Sequence, residues 1–357
     1  MKFARQSLIS VVAAFVTATG LGLLWAPPSY AQKVLNVTSY GGATIDTWRR
    51  LYFEPFEKAT GISIRAETWN SNLTLVETMV KSGNVTWDVL DVGGNVVDPT
   101  CDQGLVEPFD VSRIGGKDRF FEGMVHKCGI VSKTNGSGFG YEATDFPGGE
   151  PTSIADVLDV ERFPGKRGIR ARPNFTFEFM LMADGVPGDK VYEILKTDAG
   201  VERVFGVLDR IKDHIVWFDS VPQAVQMLLD DEVVMTQAGS HHFLTAAAKT
   251  GRPIKFIWNG SARISLYWTI VKGSPNQDLA YQFLDFINRD DIQGEWANQG
   301  SLTGYPLKSV DAKVPDDYAR TLPSYSGNKK NIYVNSTEFW ADHLEDYQLR
   351  LNAYQAK

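Results

Sequence analysis

The run VLNVTSYGG, Val34–Gly42, decides the fold of this chain. Its first six residues favour an extended strand, because Val and Thr pack well on a pleated surface, and Gly41-Gly42 end it sharply. The period then changes. Trp48, Leu51, Tyr52, Pro55 and Phe56 recur every three to four residues, which predicts a helix from Thr44 to Thr60 with Gly61 as its stop. Ile62–Thr68 alternates as a second strand, and Leu73–Ser82 reads as a helix closed by Gly83. Trp87–Val92 (WDVLDV) is a third strand, ending in a turn at Gly93-Gly94-Asn95. Strands alternating with helices predict an α/β fold, a parallel sheet with helices on its faces. Ligands of such sheets sit beyond the carboxyl ends of the strands, so the Ser39–Gly42 and Gly93–Asn95 turns are expected to face one site. The same glycines would also serve tight turns alone.

Downstream, a second α/β block begins near Gly138. Strands are expected at Gly168–Arg172 (GIRAR), Ile215–Phe218, Val233–Gln237, Ile254–Trp258 and Ser265–Val271. Helices are expected at Phe175–Ala183, Lys190–Lys196, Val201–Lys212, Val221–Asp230, from Ser240 toward Lys249, and at Leu279–Ile287, Asp291–Gln299 and Ser336–Tyr354.

Upstream, residues 1–31 carry the three parts of a secretory signal. These are positive charges at Lys2 and Arg5, an apolar run from Leu8 to Trp25, and small residues Ser29 and Ala31 before a cut after Ala31. A membrane anchor is the competing reading, but Ser10, Thr17, Thr19 and glycines dilute the run and Pro27-Pro28 break it. No Cys stands at the cut to carry a lipid. The full chain has 357 residues and a formal net charge of −7, and losing the two signal cations takes it to −9. A chain of this length exceeds one hydrophobic core, so two lobes are expected. Its acidic balance argues against nucleic-acid binding. Cys101 and Cys128 are the only two cysteines; in an exported protein such a pair reads as one structural disulfide. No C-x-x-C spacing or nearby His makes them metal ligands.

No catalytic constellation emerges. There is no G-x-S-x-G, since Gly136-Ser137-Gly138 reads as a glycine-rich turn, and there is no P-loop and no G-x-G-x-x-G opening a helix. His241-His242 open a helix and read as solvated surface residues, or one of them as a pocket wall, with no metal chelated between them. Asp230-Asp231-Glu232 reads as a solvated helix end. No cofactor is expected. Aromatics at strand ends, including Tyr40, Trp69, Tyr267, Trp268 and Tyr305, fit either core packing or a stack around a small polar solute. Arg170 and Arg172 leave a strand where an Arg can grip a carboxylate or phosphate bidentately.

The order of motifs identifies a family. VLNVTSYGG is followed by FEKATGI (Phe56–Ile62), TWNSN (Thr68–Asn72), WDVLDVGGN (Trp87–Asn95) and GLVEPFD (Gly104–Asp110). Then come FPGKRGIR (Phe163–Arg170), AVQMLLDDEVVMTQAGS (Ala224–Ser240) and LTGYPL (Leu302–Leu307). Over essentially the whole mature chain this resembles the spermidine/putrescine-binding branch of the extracellular solute-binding proteins that feed ABC importers. The resemblance implies a two-lobed, type II periplasmic binding fold, with residues 33–137 plus 267–312 as one lobe and 138–266 plus 313–357 as the other. It further implies a solute held in the cleft between them, hinge closure, and delivery by a monomer to an inner-membrane permease.

Carried across residue by residue, the resemblance breaks at the acids. Tyr40 matches a cleft aromatic and Glu178 one ammonium-binding acid. Asn95 stands where that branch has a tyrosine, Phe175 where it has a second acid, and Ser240 or His241 where it has a tryptophan. Trp268 replaces the acid of a Trp-x-Asp. With Arg170 and Arg172 nearby, a polyamine is a poor fit, because a buried guanidinium facing a buried diammonium is strongly unfavourable. The expected solute carries a carboxylate, and an amine with it, or is a small organic acid. Arg172 would hold the anion, Gly94, Asn95 and Ser240 would donate or accept hydrogen bonds, and Tyr40, Tyr267 and Trp268 would form the walls. A polyamine receptor, a sensory receptor, and an exported enzyme using Glu178 and Asp219 are the alternatives.

Overall fold

A computed structural model describes residues 33–41, 43–298, 303–315, 320–328 and 331–357. The export segment and its cut after Ala31 lie outside the described residues. Residues 33–357 form one compact unit. Its strands are β1 Val34–Ser39, β2 Ser63–Thr68, β3 Val89–Gly93, β4 Val125–His126, β5 Gly129–Glu142 and β6 Arg167–Arg170. They continue with β7 Ile215–Phe218, β8 Met235–Gly239, β9 Ile254–Phe256, β10 Ala262–Ile270 and β11 Tyr333–Val334.

The main order is β2-β1-β3-β10-β5-β8-β6-β7. The outer triplets are parallel, β2-β1-β3 on one side and β8-β6-β7 on the other. Between them, β10 runs antiparallel to β3 and β5, and β5 antiparallel to β8. The three strands of the first block are parallel as expected, while the sheet as a whole is mixed. The reason is visible in the packing, because β5 and β10 pass from one hydrophobic core into another. Ile130 and Val131 at the start of β5, and Trp268 and Ile270 at the end of β10, lie in a core with Trp48, Phe53, Phe56 and Phe283. Phe139, Tyr141 and Ala262, on the far halves of the same strands, lie in a second core with Phe177, Leu208 and Leu351. Val314 and Leu322 join the first core and Tyr333 the second, so a third passage falls between Leu322 and Tyr333. The chain thus crosses later than the expected switch at residue 313.

Local chemistry explains the elements. The first helix runs Ala43–Trp48, widens into a π-turn at Arg49–Phe53 and continues as Glu54–Thr60, with Gly61 closing it at φ 72°. Gly83 and Gly251 cap two other helices in the same left-handed conformation. Gly136-Ser137-Gly138 is no turn but the middle of β5. A Cβ at Gly136, Gly138 or Gly140 would stand 2.6, 2.9 or 2.4 Å from the rings of Trp258, Phe256 and Phe243, so these alternate glycines make room for three aromatics on one face. The expected turn at Gly93–Asn95 opens instead into a helix, Gly94–Asp102, which its internal Pro99 had obscured. Cys101 and Cys128 are bonded, with Cα atoms 5.8 Å apart. Among the described residues no helix is long and apolar enough to cross a membrane.

Candidate functional site

Two neighbouring openings lie where the crossing strands separate the cores. The larger is a cleft of about 900 Å3. Tyr40, Gly94, Asp98 and His126 line it from the first core's side, Phe175 and the helix Thr337–Gln355 (Trp340, Leu344) from the second's, and Arg263–Tyr267 of β10 between them. The smaller is a pocket of about 200 Å3 lined by Asn135, Arg170, Gln237, His241 and His242. Phe175 and Ile264 belong to both.

The two turns picked from the sequence do meet. Gly93 N–H donates to the Tyr40 hydroxyl at 2.9 Å, and Ser71 donates to the same oxygen at 3.1 Å. Gly94 sits tight against β10, where a Cβ would lie 2.9 Å from the Ser265 carbonyl oxygen, so glycine lets the helix start at the strand. Asn95 lies in the first turn of that helix. Phe175 has φ 71°, a left-handed conformation that bulky residues rarely adopt, and Asn174 before it is extended. That break aims Phe175 between the two openings, while the Glu178 carboxylate one turn on accepts the Phe175 backbone N–H.

Other expected site residues lie elsewhere. Trp268 is 1% exposed and packs against Trp48 at 4.3 Å between ring centres, because it points to the face of β10 opposite Tyr267. Glu178 is fully buried and accepts hydrogen bonds from Tyr192, Trp340 and Asn335, so it is a tie within the second core and not an ammonium ligand. Neither it nor the exposed Asp219 lines the cleft or the pocket, which leaves the enzyme alternative without its carboxylate pair. Ser240 is buried, and its hydroxyl accepts the Gly136 N–H at 3.3 Å, pinning a helix start to β5. Arg172 is exposed and lines neither opening, since the residue before Pro173 is held extended and its side chain leaves the site. Trp69 and Tyr305 are core residues. His241 and His242 are half-buried rather than solvated, and both line the pocket, their ring centres 3.9 Å apart and the planes tilted by 38°.

What the sequence reading missed is a set of unsatisfied polar atoms. Asn135 Oδ1, Arg170 Nε, Gln237 Nε2 and His241 Nδ1 in the pocket, and Asn174 Oδ1 and Arg263 Nε in the cleft, are buried with no hydrogen-bond partner in the protein. Such groups are costly unless something fills them. Gln237 shows the design most clearly. Its Oε1 accepts the Arg170 N–H at 2.6 Å and the Thr176 hydroxyl at 3.3 Å, which fixes the amide and leaves its NH2 unpaired at the pocket. Burial pulls the Arg170 guanidinium below its ordinary value, and Arg172 adds to this against Asp219. Burial, helped by His242 and Lys133, lowers His241 to about 4, so its ring is neutral at pH 7. The helix Ser240–Thr250 starts at this pocket without a side-chain cap, presenting free N–H groups and the positive end of its dipole. Donors therefore converge on a small cavity beside a larger, aromatic-lined cleft, an arrangement suited to binding a small polar solute.

Comparisons with known proteins agree. The sequence profile of the bacterial extracellular solute-binding protein family matches residues 52–322. A Gamma-aminobutyric acid-binding protein of Pseudomonas aeruginosa is 34% identical over 353 residues, 99% of either chain. A solved GABA receptor is 26% identical with a TM-score of 0.72, over 91% of this chain and 98% of that one. An ABC transporter substrate-binding protein from Bradyrhizobium japonicum USDA 110 is 29% identical with a TM-score of 0.73, over 90% and 99%. This chain has their two-lobed type II architecture, belongs to the bacterial extracellular solute-binding proteins, and is the solute-capturing receptor of an ABC importer.

Proposed function

We propose that this receptor captures a small amine-bearing carboxylate, of the ω-amino acid type that includes γ-aminobutyrate, and not a polyamine. The carboxylate enters the small pocket and meets the Gln237 amide, the Arg170 guanidinium and the open start of the helix Ser240–Thr250. The observation that carries this reading is the convergence of the unpaired Arg170 Nε and Gln237 Nε2 on one pocket. Hydrogen bonds from a buried guanidinium to an anion contribute about 1.5–3 kcal/mol each. The same Arg170 in the small pocket would repel the second ammonium of a diammonium. The relatives named for γ-aminobutyrate support the class.

On this reading the signal is cut after Ala31, and the mature monomer works in the periplasm. The lobes are residues 33–137 with the stretch from Tyr267 to about Leu322, and the remainder, and they close on β5, β10 and the third passage. Closure presents the loaded receptor to an inner-membrane permease. Isothermal titration with γ-aminobutyrate, spermidine and putrescine tests the solute class. We expect γ-aminobutyrate to bind most tightly and Arg170→Gln to weaken it about thirtyfold. Spermidine binding more tightly than γ-aminobutyrate would overturn the assignment.

A further inference from the structure

The first wall of the cleft carries a charged corner that the carboxylate pocket leaves unused. Asp98, on the helix Gly94–Asp102, and His126, on β4, both line the cleft, and His126 Nε2 lies 3.0 Å from Asp98 Oδ1. The other ring nitrogen settles the tautomer. Cys128 donates its backbone N–H to His126 Nδ1 at 3.1 Å, so Nδ1 accepts and the ring proton sits on Nε2. Nε2–H therefore donates to Asp98 and aims its carboxylate.

The second Asp98 oxygen has no hydrogen bond among the described residues, and the side chain is 63% exposed. Asp102, one turn further along the same helix, is taken by Lys127 at 2.6 Å. The corner is braced covalently as well. Cys101 follows Asp98 by about one helical turn and Cys128 follows His126 by two residues, so their disulfide ties the helix to the strand that carries the histidine. The Tyr267 ring stands 5.6 Å from that of His126. Glu338 lines the cleft from the facing helix, but with no comparable brace.

A carboxylate with one free oxygen, set beside an aromatic face, is what a primary ammonium group seeks. We propose that Asp98, aimed by His126 and held by the Cys101–Cys128 bridge, receives the ammonium end of the solute against the Tyr267 ring. This rests on the amine-bearing carboxylate reading and assigns that solute's other end.

The test is isothermal titration of the purified receptor with three probes: γ-aminobutyrate, putrescine and butyrate. Asp98→Asn should weaken every ammonium-bearing probe that wild type binds by about thirtyfold and leave butyrate within about twofold. His126→Ala, which leaves the carboxylate unaimed, should cost the same probes about threefold, again sparing butyrate. Unchanged binding of the ammonium probes by Asp98→Asn overturns the assignment, as does wild type that binds neither of them. Should wild type bind putrescine and not γ-aminobutyrate, the carboxylate reading falls, while Asp98→Asn with putrescine still decides this one.

Discussion

Tyr267 and Trp268 are adjacent on β10 and meet opposite surroundings. Tyr267 lines the cleft, whereas Trp268 packs in the first core between Trp48 and Phe283. Phe175 and Glu178 divide in the same way at the start of one helix, the ring toward the openings and the carboxylate into the second core. Which way the backbone turns a side chain decides whether it can touch a solute; its chemical type does not. The side chains on the core side hold the walls in place, and those on the open side are the ones a solute in the cleft would meet. Changes on the two sides should therefore separate into losses of stability and losses of affinity.

The largest effect is expected on the core side. Trp268→Ala removes a fully buried indole and should destabilise the protein by about 3–5 kcal/mol, read from urea unfolding. A loss under about 1 kcal/mol would place Trp268 outside the core and erase the comparison. Glu178 comes next, through pH. Burial raises its carboxyl from 4.5 to about 7, against the opposing hydrogen bonds of Trp340 and Tyr192. The folded state thus holds the proton more tightly than the unfolded one. Below pH 4.5 both states are protonated and nothing is lost; from there to pH 7 the unfolded chain ionises first, so stability falls as pH rises. The fall should be on the order of 3 kcal/mol across that window. Asp91, raised by burial from 3.8 to about 6, adds to it in the same direction. Glu178→Gln should flatten the slope, and equal slopes for both proteins in unfolding series between pH 4.5 and 7.5 would refute the buried-acid account.

Much of this architecture was legible because its signals are local. The β-branched run at Val34–Ser39 and the glycines at 61 and 83 mark elements whose ends are fixed by backbone geometry within a few residues. The export segment, residues 1–31, lies outside the described residues, so its signals stand on sequence alone. The long crossing strand β5 was not legible, since Gly136, Gly138 and Gly140 resemble a turn until the distant rings of Trp258, Phe256 and Phe243 explain them. The site was half legible for a related reason. Tyr40, Gly94, Phe175 and Tyr267, picked from the sequence, do line the cleft, but alternation along β10 could have excluded Trp268 beside Tyr267. Asn135, Gln237 and Arg263 have ordinary sequence surroundings, and only the fold shows that their polar atoms lack partners.

A smaller effect tests the join between the two sides. Gly94 starts the helix that carries Asp98, and it does so against the β10 backbone at Ser265. Gly94→Ala would force a Cβ to within 2.9 Å of a carbonyl oxygen that cannot rotate away, so helix or strand must shift. Overpacking of this kind costs about 1–3 kcal/mol. Because the shift moves the cleft wall, affinity for γ-aminobutyrate should fall together with the midpoint of thermal unfolding. Lost stability with intact affinity would mean that the wall adjusts without disturbing the solute.

The smallest change in stability, and the sharpest test of the comparison, belongs to Tyr267. It is partly buried, packing one side against the first core and the cluster around Trp69 and Leu90 and the other toward the cleft and the His126 ring. Tyr267→Ala should therefore cost about 1–2 kcal/mol, well short of Trp268→Ala. Affinity is where it should register. A ring facing an ammonium group contributes about 0.5–2 kcal/mol, which corresponds to roughly twofold to thirtyfold weaker binding of γ-aminobutyrate once the ring is gone. Tyr267→Phe keeps the face and loses only the hydroxyl, so it should bind within about threefold of wild type. If Tyr267→Ala instead unfolds the protein as Trp268→Ala does, the two faces of β10 are not separable. If Tyr267→Phe loses as much affinity as Tyr267→Ala, the hydroxyl and not the aromatic face holds the solute, and the wall of the cleft is a hydrogen-bonding one.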